Sequence, residues 1–148
     1  RYSALRGHDL LARCLDNDEN VYFGALDAVV RRNAYGRQLG SFAASADFGA
    51  SDDADAVVVA SGESVSSAIS AAAGEEGASE ASDTSVVLKD FPLVFIRGPF
   101  VAEVGERATV ETSVDGNVVG LRQGKILATA FHPELTDDTR IHELFLSL

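Results

Sequence analysis

The chain has 148 residues, 46% of them hydrophobic, and a mean hydropathy of +0.07, enough for one sizeable core and short for two independent domains. Its 23 acidic and 12 basic residues give a net charge of −11, a surface that repels phosphate backbones and argues against nucleic acid or an anionic membrane as partner. No apolar run approaches the ~20 residues of a membrane span, and residues 1–9 are charged and interrupted rather than built like a signal peptide.

From the N-terminus, Leu5, Leu10, Leu11 and Ala12 share a helical spacing that predicts a helix over residues 4–14, ending near Asp16 and Asn17. The single cysteine, Cys14, rules out an internal disulfide and a multi-cysteine zinc site and fits a reducing, cytoplasmic setting. The chain contains no methionine and opens on Arg1, so it is expected to be a piece whose N-terminal part lies upstream. Residues 21–31 predict a strand.

Residues 43–88 differ from their surroundings. No Lys or Arg occurs between Gln38 and Leu88, while Asp47, Asp52, Asp53, Asp55, Glu63, Glu75, Glu76, Glu80 and Asp83 accumulate; the other 14 acidic and 12 basic residues nearly balance. Between Ala43 and Ser85, 23 of 43 residues are Ala or Ser and the only aromatic is Phe48. Most of this stretch lacks the side-chain volume to pack a core, so it reads as an acidic insertion within a single domain over residues 1–148. Within it, residues 56–60 suggest a short strand and residues 65–73 a weak helix, since Ala favours helix and Ser opposes it.

Beyond the insertion, residues 93–97 form a compact apolar run stopped by Gly98 and Pro99, a buried strand. Residues 107–114 and 117–122 meet at Asp115-Gly116, a dipeptide that tolerates positive φ, and residues 125–131 follow Gln123-Gly124, giving three consecutive antiparallel strands. Thr136 is the expected N-cap of a final helix, with Asp137 and Asp138 at the positive end of its dipole and Ile141, Leu144, Phe145 and Leu148 at helical spacing. Mixed strands and helices with a hairpin unit indicate an α/β fold.

Three clusters could carry chemistry. Pro133 disfavours the helical conformation at His132, and in an extended segment residues i and i+2 point the same way, so Glu134 is expected beside the imidazole. A carboxylate there fixes the tautomer of a histidine that acts as general base. The plain alternative is a hydrogen-bonded histidine at a strand end followed by a helix-start acid, and the residues alone leave both open. Arg31 and Arg32, and then Arg97, follow predicted strands and could bind a carboxylate with two parallel hydrogen bonds; surface salt bridges on this acidic chain would use arginines equally well.

Together, Val30 to Gln38 (Val-Arg-Arg-Asn-Ala-Tyr-Gly-Arg-Gln) with Ser41-Phe42, Val94 to Pro99 (Val-Phe-Ile-Arg-Gly-Pro), and Phe131 to Thr136 (Phe-His-Pro-Glu-Leu-Thr) with Arg140 and His142 resemble the glutaminase subunit of pyridoxal 5'-phosphate synthase. The His-Pro-Glu element alone is shared by class I glutamine amidotransferases generally; the other two are more particular. The resemblance covers residues 7–43 and 93–145. It implies a class I amidotransferase fold, flavodoxin-like and here partial, that hydrolyses L-glutamine to glutamate and ammonia and passes the ammonia to a (β/α)₈-barrel synthase subunit, with no cofactor or metal of its own. By matching positions, His132 and Glu134 become the base and orienting acid of a Cys-His-Glu triad, and Arg32, Ile96 and Arg97 contact the glutamine.

The chain departs from the family at the nucleophile. The family's Gly-Thr-Cys-Ala-Gly turn, aligned so that its last glycine falls on Gly7, puts Leu5 at the cysteine position; Cys14 follows nine residues later. The family's Gly-Gly-Glu-Ser loop, which supplies oxyanion-hole backbone groups and precedes the nucleophile turn in the family, does not stand in that order within these 148 residues, although Ser61-Gly62-Glu63-Ser64 echoes it out of order. The expectation is therefore a chain that carries half of the site and is inactive as it stands, or a degenerate module that keeps only the synthase-binding surface.

Overall fold

The computed structural model describes residues 12–15, 24–31, 41–49, 56–72, 85–96 and 99–148, with the backbone alone for 12–15. In chain order these form β1 (Ala12–Leu15), β2 (Leu26–Arg31), β3 (Ser41–Phe48), β4 (Val57–Val59), α1 (Val65–Ala72), β5 (Val86–Ile96), β6 (Phe100–Val104), β7 (Thr109–Val114), β8 (Asn117–Gln123), β9 (Ile126–Thr129), a 3-10 turn at Pro133–Leu135 and α2 (Arg140–Leu146). Two sheets result among the described residues. The larger has the order β1-β2-β6-β8-β7 with β9 also paired to β8, and the smaller the order β3-β5-β4.

β5 shows how burial tracks pairing. Val86, Val87 and Leu88 are all buried where the strand runs parallel to β4 on one side, the continuous apolar pattern of a strand covered on both faces. Past Lys89 and Asp90 only alternate residues, Phe91, Leu93 and Phe95, are buried, and pairing is to β3 alone. Pro92 lies in this second part, opposite Ser45, where one edge needs no ladder donor and proline is tolerated.

The three-strand antiparallel unit is as expected. β7 and β8 close at Val114 and Asn117 through Asp115 (φ 50°) and Gly116 (φ 78°), the two consecutive positive φ angles of a type I′ turn. β8 and β9 close at Gln123 and Ile126, so the second loop is Gly124-Lys125, one residue later than predicted.

The main core joins both sheets to the helices: Phe48 from β3, Val59 from β4, Val65 from α1, Leu88, Phe91, Leu93 and Phe95 from β5, Val119 from β8, Phe131, and Ile141 and Leu144 from α2. Gly120 allows the close approach, because a Cβ there would lie 2.7 Å from the Phe48 ring and 2.8 Å from the Thr112 methyl. A smaller cluster, Leu26, Ala28 and Leu121, packs between β2 and β8.

Expectation and structure differ at four places. Residues 12–15, read as the end of a helix, form a strand parallel to β2; ladder pairing overrides the local helical spacing, and residues 4–11 lie outside the described residues. The 43–88 segment is not set apart from the core at its described parts. Phe48, Val59 and Val65 are completely buried, and Phe42, Ala44 and Ala46 line the same face of β3, so small residues in strict alternation supply a strand where volume alone argued against one. β6 was not foreseen. The last helix begins at Arg140 with Thr139 as N-cap, three residues after the expected cap; Thr136 instead ends the 3-10 turn, its hydroxyl donating to the Pro133 carbonyl at 3.0 Å. On that helix Ile141 and Leu144 are buried as expected, whereas Phe145 is exposed.

Candidate active site at the His132 turn

β9 delivers the chain to the site through two buried residues, Ala130 and Phe131. The Ala130 N–H donates to the Val119 carbonyl (2.8 Å) and the His132 N–H to the Val94 carbonyl (2.8 Å), so the end of β9 is pinned to β8 on one side and β5 on the other. Phe131 meets Phe48 and Phe95 edge to face and Phe91 at a tilt, each with centroids 6.1 Å apart, in the range where aromatic pairs attract. His132 thus starts from a rigid base.

At His132 the backbone turns non-helical (φ −109°, ψ 85°), as Pro133 requires. Glu134 reaches the imidazole by a different route from the one predicted: Pro133–Leu135 is a 3-10 turn, and its curl, rather than strand alternation, brings the carboxylate back. His132 Nδ1 and Glu134 Oε1 are 2.7 Å apart. The imidazole hydrogen bond holds the Glu134 carboxyl below its ordinary value of 4.5, with a smaller contribution from His142, so at neutral pH it is an acceptor only. Nδ1 therefore carries the proton and donates it.

The other ring nitrogen completes the picture. Nε2 is buried and has no hydrogen-bond partner among the described residues; with Nδ1 protonated, it presents a lone pair inward. A buried polar atom without a partner is uncommon and calls for an explanation, and a base positioned to take a proton from a group absent here supplies one.

Ile96 ends β5, two residues beyond the Val94 carbonyl that holds His132, and is 39% exposed. It shares the solvent-facing side of the strand with Val94, opposite the buried Leu93 and Phe95. Arg31 ends β2 with its guanidinium 5.8 Å from the centre of the Phe100 ring. Arg32 and Arg97 lie outside the described residues, as do residues 33–38, while for Cys14 only the strand backbone is described. The Ser61-Gly62-Glu63-Ser64 loop contacts α2 rather than the His132 turn: Ser61 accepts from Arg140 and Ser64 donates to Glu143. Among the described residues no group of three or more His, Cys, Asp or Glu converges as a metal site, and no helix is long and apolar enough to cross a membrane.

Sequence reasoning missed Arg140 as a structural centre. It is 2% exposed, and charge alone would have placed it in solvent; the one local signal was Asp138 two residues earlier.

A model of the SNO glutamine amidotransferase family matches residues 72–148. The pyridoxal 5'-phosphate synthase subunit PdxT of Bifidobacterium adolescentis is 74% identical over 147 residues, covering 99% of this chain and 64% of the relative. The subunit of the same name from Bifidobacterium longum is 61% identical, with 99% and 61% covered, and that of Clostridium acetobutylicum is 34% identical, with 96% and 58% covered. The chain thus spans less than two thirds of the length of each of these relatives. A crystal structure of a glutamine amidotransferase superposes with a TM-score of 0.61 at 32% identity, covering 95% of this chain and 55% of that one, in keeping with a mixed α/β amidotransferase fold.

Proposed function

Because the chain belongs to the SNO glutamine amidotransferase family, we propose that it contributes the histidine half of a glutaminase site that releases ammonia from L-glutamine for pyridoxal 5'-phosphate synthesis. The observation that carries this reading is the His132 geometry: Nδ1 held by Glu134 at 2.7 Å and Nε2 buried with no partner. In amide hydrolysis by a thiol, the base takes the thiol proton, the thiolate attacks the amide carbon, and the same imidazole returns the proton to the departing ammonia before water cleaves the thioester. Glu134 keeps Nε2 the basic nitrogen in the first step and stabilises the imidazolium between the two.

Arg32 and Arg97 bind the glutamine carboxylate in this reading, with Ile96 at the end of β5 bordering the side chain. The partner is the (β/α)₈-barrel synthase subunit, and the setting is the cytoplasm. The 148-residue chain itself turns over no glutamine, since Leu5, which has no nucleophilic atom, stands at the position aligned with the nucleophile.

Two measurements test the proposal. Ammonia release from L-glutamine, with the barrel subunit present, should not exceed that of the His132→Ala variant; clear turnover by the unmodified chain contradicts inactivity. Titration with L-glutamine should shift the Ile96 methyl resonances saturably, and Arg32→Ala should abolish the shift. Absence of any glutamine-dependent shift together with failure to bind the barrel subunit would overturn the assignment, whereas barrel binding without glutamine binding would favour a degenerate docking module.

A further inference from the structure

The Arg140 guanidinium is buried and fully used. Its Nε donates to both Asp138 carboxylate oxygens (3.0 and 3.1 Å), Nη1 to the carbonyls of Val59 (3.0 Å) and Lys89 (2.8 Å), and Nη2 to Asp138 Oδ2 (2.6 Å) and Ser61 Oγ (3.3 Å). These contacts occupy all five N–H donors of the fork. Three separate pieces of chain meet there: the end of β4 with its loop, the middle of β5, and the start of α2.

The same residue lies on two of the routes by which the His132 turn is fastened to the core. One is the chain itself, because Thr136 to Thr139 runs directly from the 3-10 turn to Arg140, with Asp138 Oδ1 accepting the Arg140 backbone N–H at 3.1 Å. The other is the ring layer, in which the Arg140 guanidinium sits 5.5 Å from the centre of Phe91 and Phe91 packs on Phe131, the residue before His132. We infer that Arg140 is a positioning residue for the His132–Glu134 pair, fixing the geometry in which Nδ1 donates to the carboxylate and Nε2 faces inward.

A lysine in its place keeps the charge but offers three donors on a flexible stem and no planar fork, too few for the five acceptor atoms that the guanidinium serves, the Val59 and Lys89 carbonyls, both Asp138 oxygens and Ser61 Oγ. The turn then loses its rear anchor while Phe131 keeps its core contacts. This deepens the functional reading above, since the pair is the one assigned to glutamine hydrolysis, but its readout needs no turnover, so the two can fail separately.

The test is ¹⁵N NMR of the His132 ring in the full chain at neutral pH, comparing wild type, Arg140→Lys and Val65→Ala. Val65→Ala is the control, the truncation of another fully buried side chain of the same core. In Arg140→Lys the Nδ1-protonated form should fall toward the tautomer mixture of a free imidazole, and the Glu134 carboxyl titration should rise toward its ordinary 4.5, while Val65→Ala shows neither change. An unaltered tautomer in folded Arg140→Lys, or an equal loss in Val65→Ala, would overturn the inference. Should Arg140→Lys not fold, Asp138→Asn, which keeps the guanidinium and removes the charge facing it, is read by the same two criteria.

Discussion

The turn that carries His132 and the acidic segment before β5 are fastened to one core by opposite means. At its entry the turn is anchored by volume: Phe131 sits among three other phenylalanines, and one strand-type hydrogen bond, His132 N–H to Val94, sets its direction. The segment has little volume to offer. It commits Phe48, Val59 and Val65 to the interior, pairs β3 and β4 with β5, and is further held by polar groups of α2. Arg140 takes the Val59 carbonyl and Ser61, and Glu143 accepts from Ser64 Oγ and the Val65 N–H at the start of α1. A stretch rich in Ala and Ser can thus belong to a core when a few large side chains fall in register and a buried cation satisfies its backbone.

The largest effect expected of breaking this arrangement is at Phe48. Phe48→Ala should cost about 3–5 kcal/mol in urea unfolding, as for a fully buried phenylalanine; if the segment were an appendage, the loss would be close to zero. Next is Asp138→Asn, with an expected loss of about 1–3 kcal/mol from an under-satisfied buried guanidinium. The Arg140 hydrogen bonds hold the Asp138 carboxyl below its ordinary 3.8, so its contribution is complete above that value and is lost as the pH falls through the lowered one. The variant should therefore show a shallower acid limb in a stability-against-pH profile than wild type.

A smaller and local effect is expected of Glu143→Ala, which removes the acceptor for the Val65 N–H. Hydrogen exchange should quicken at the first turn of α1 while amides of β7 and β8 keep their protection; uniform quickening would mean that α2, not α1, is what Glu143 supports. Lys89→Ala should change stability least, within about 0.5 kcal/mol, because its pair with Asp47 is solvent-exposed.

The residues show why some of this was legible in the sequence and some was not. The proximity of His132 and Glu134 follows from Pro133 and a two-residue spacing, although the 3-10 turn that achieves it does not. The type I′ turn at Asp115-Gly116 was legible because only certain residues tolerate two positive φ angles. β3 carried a readable alternation, Phe42, Ala44, Ala46, Phe48, masked by small side chains. The start of α2 was not legible: Thr136, Asp137, Asp138 and Thr139 are all plausible helix starters, and the choice falls where Asp138 can hold both the Arg140 N–H and its guanidinium. The burial of Arg140 depends on carbonyls 51 and 81 residues away, which no local pattern encodes. Residues 12–14 misled because leucines at helical spacing ahead of them reveal nothing of the parallel partner that turns residues 12–15 into a strand.

The central claim is that Glu134 makes Nε2 the basic nitrogen of His132, and the ring ¹⁵N shifts of His132 at neutral pH test it most directly. The account predicts a wild-type ring protonated on Nδ1 with Nε2 unprotonated, and a shift toward Nε2 protonation in Glu134→Ala. A wild-type ring already protonated on Nε2, or one indifferent to Glu134→Ala, would contradict it.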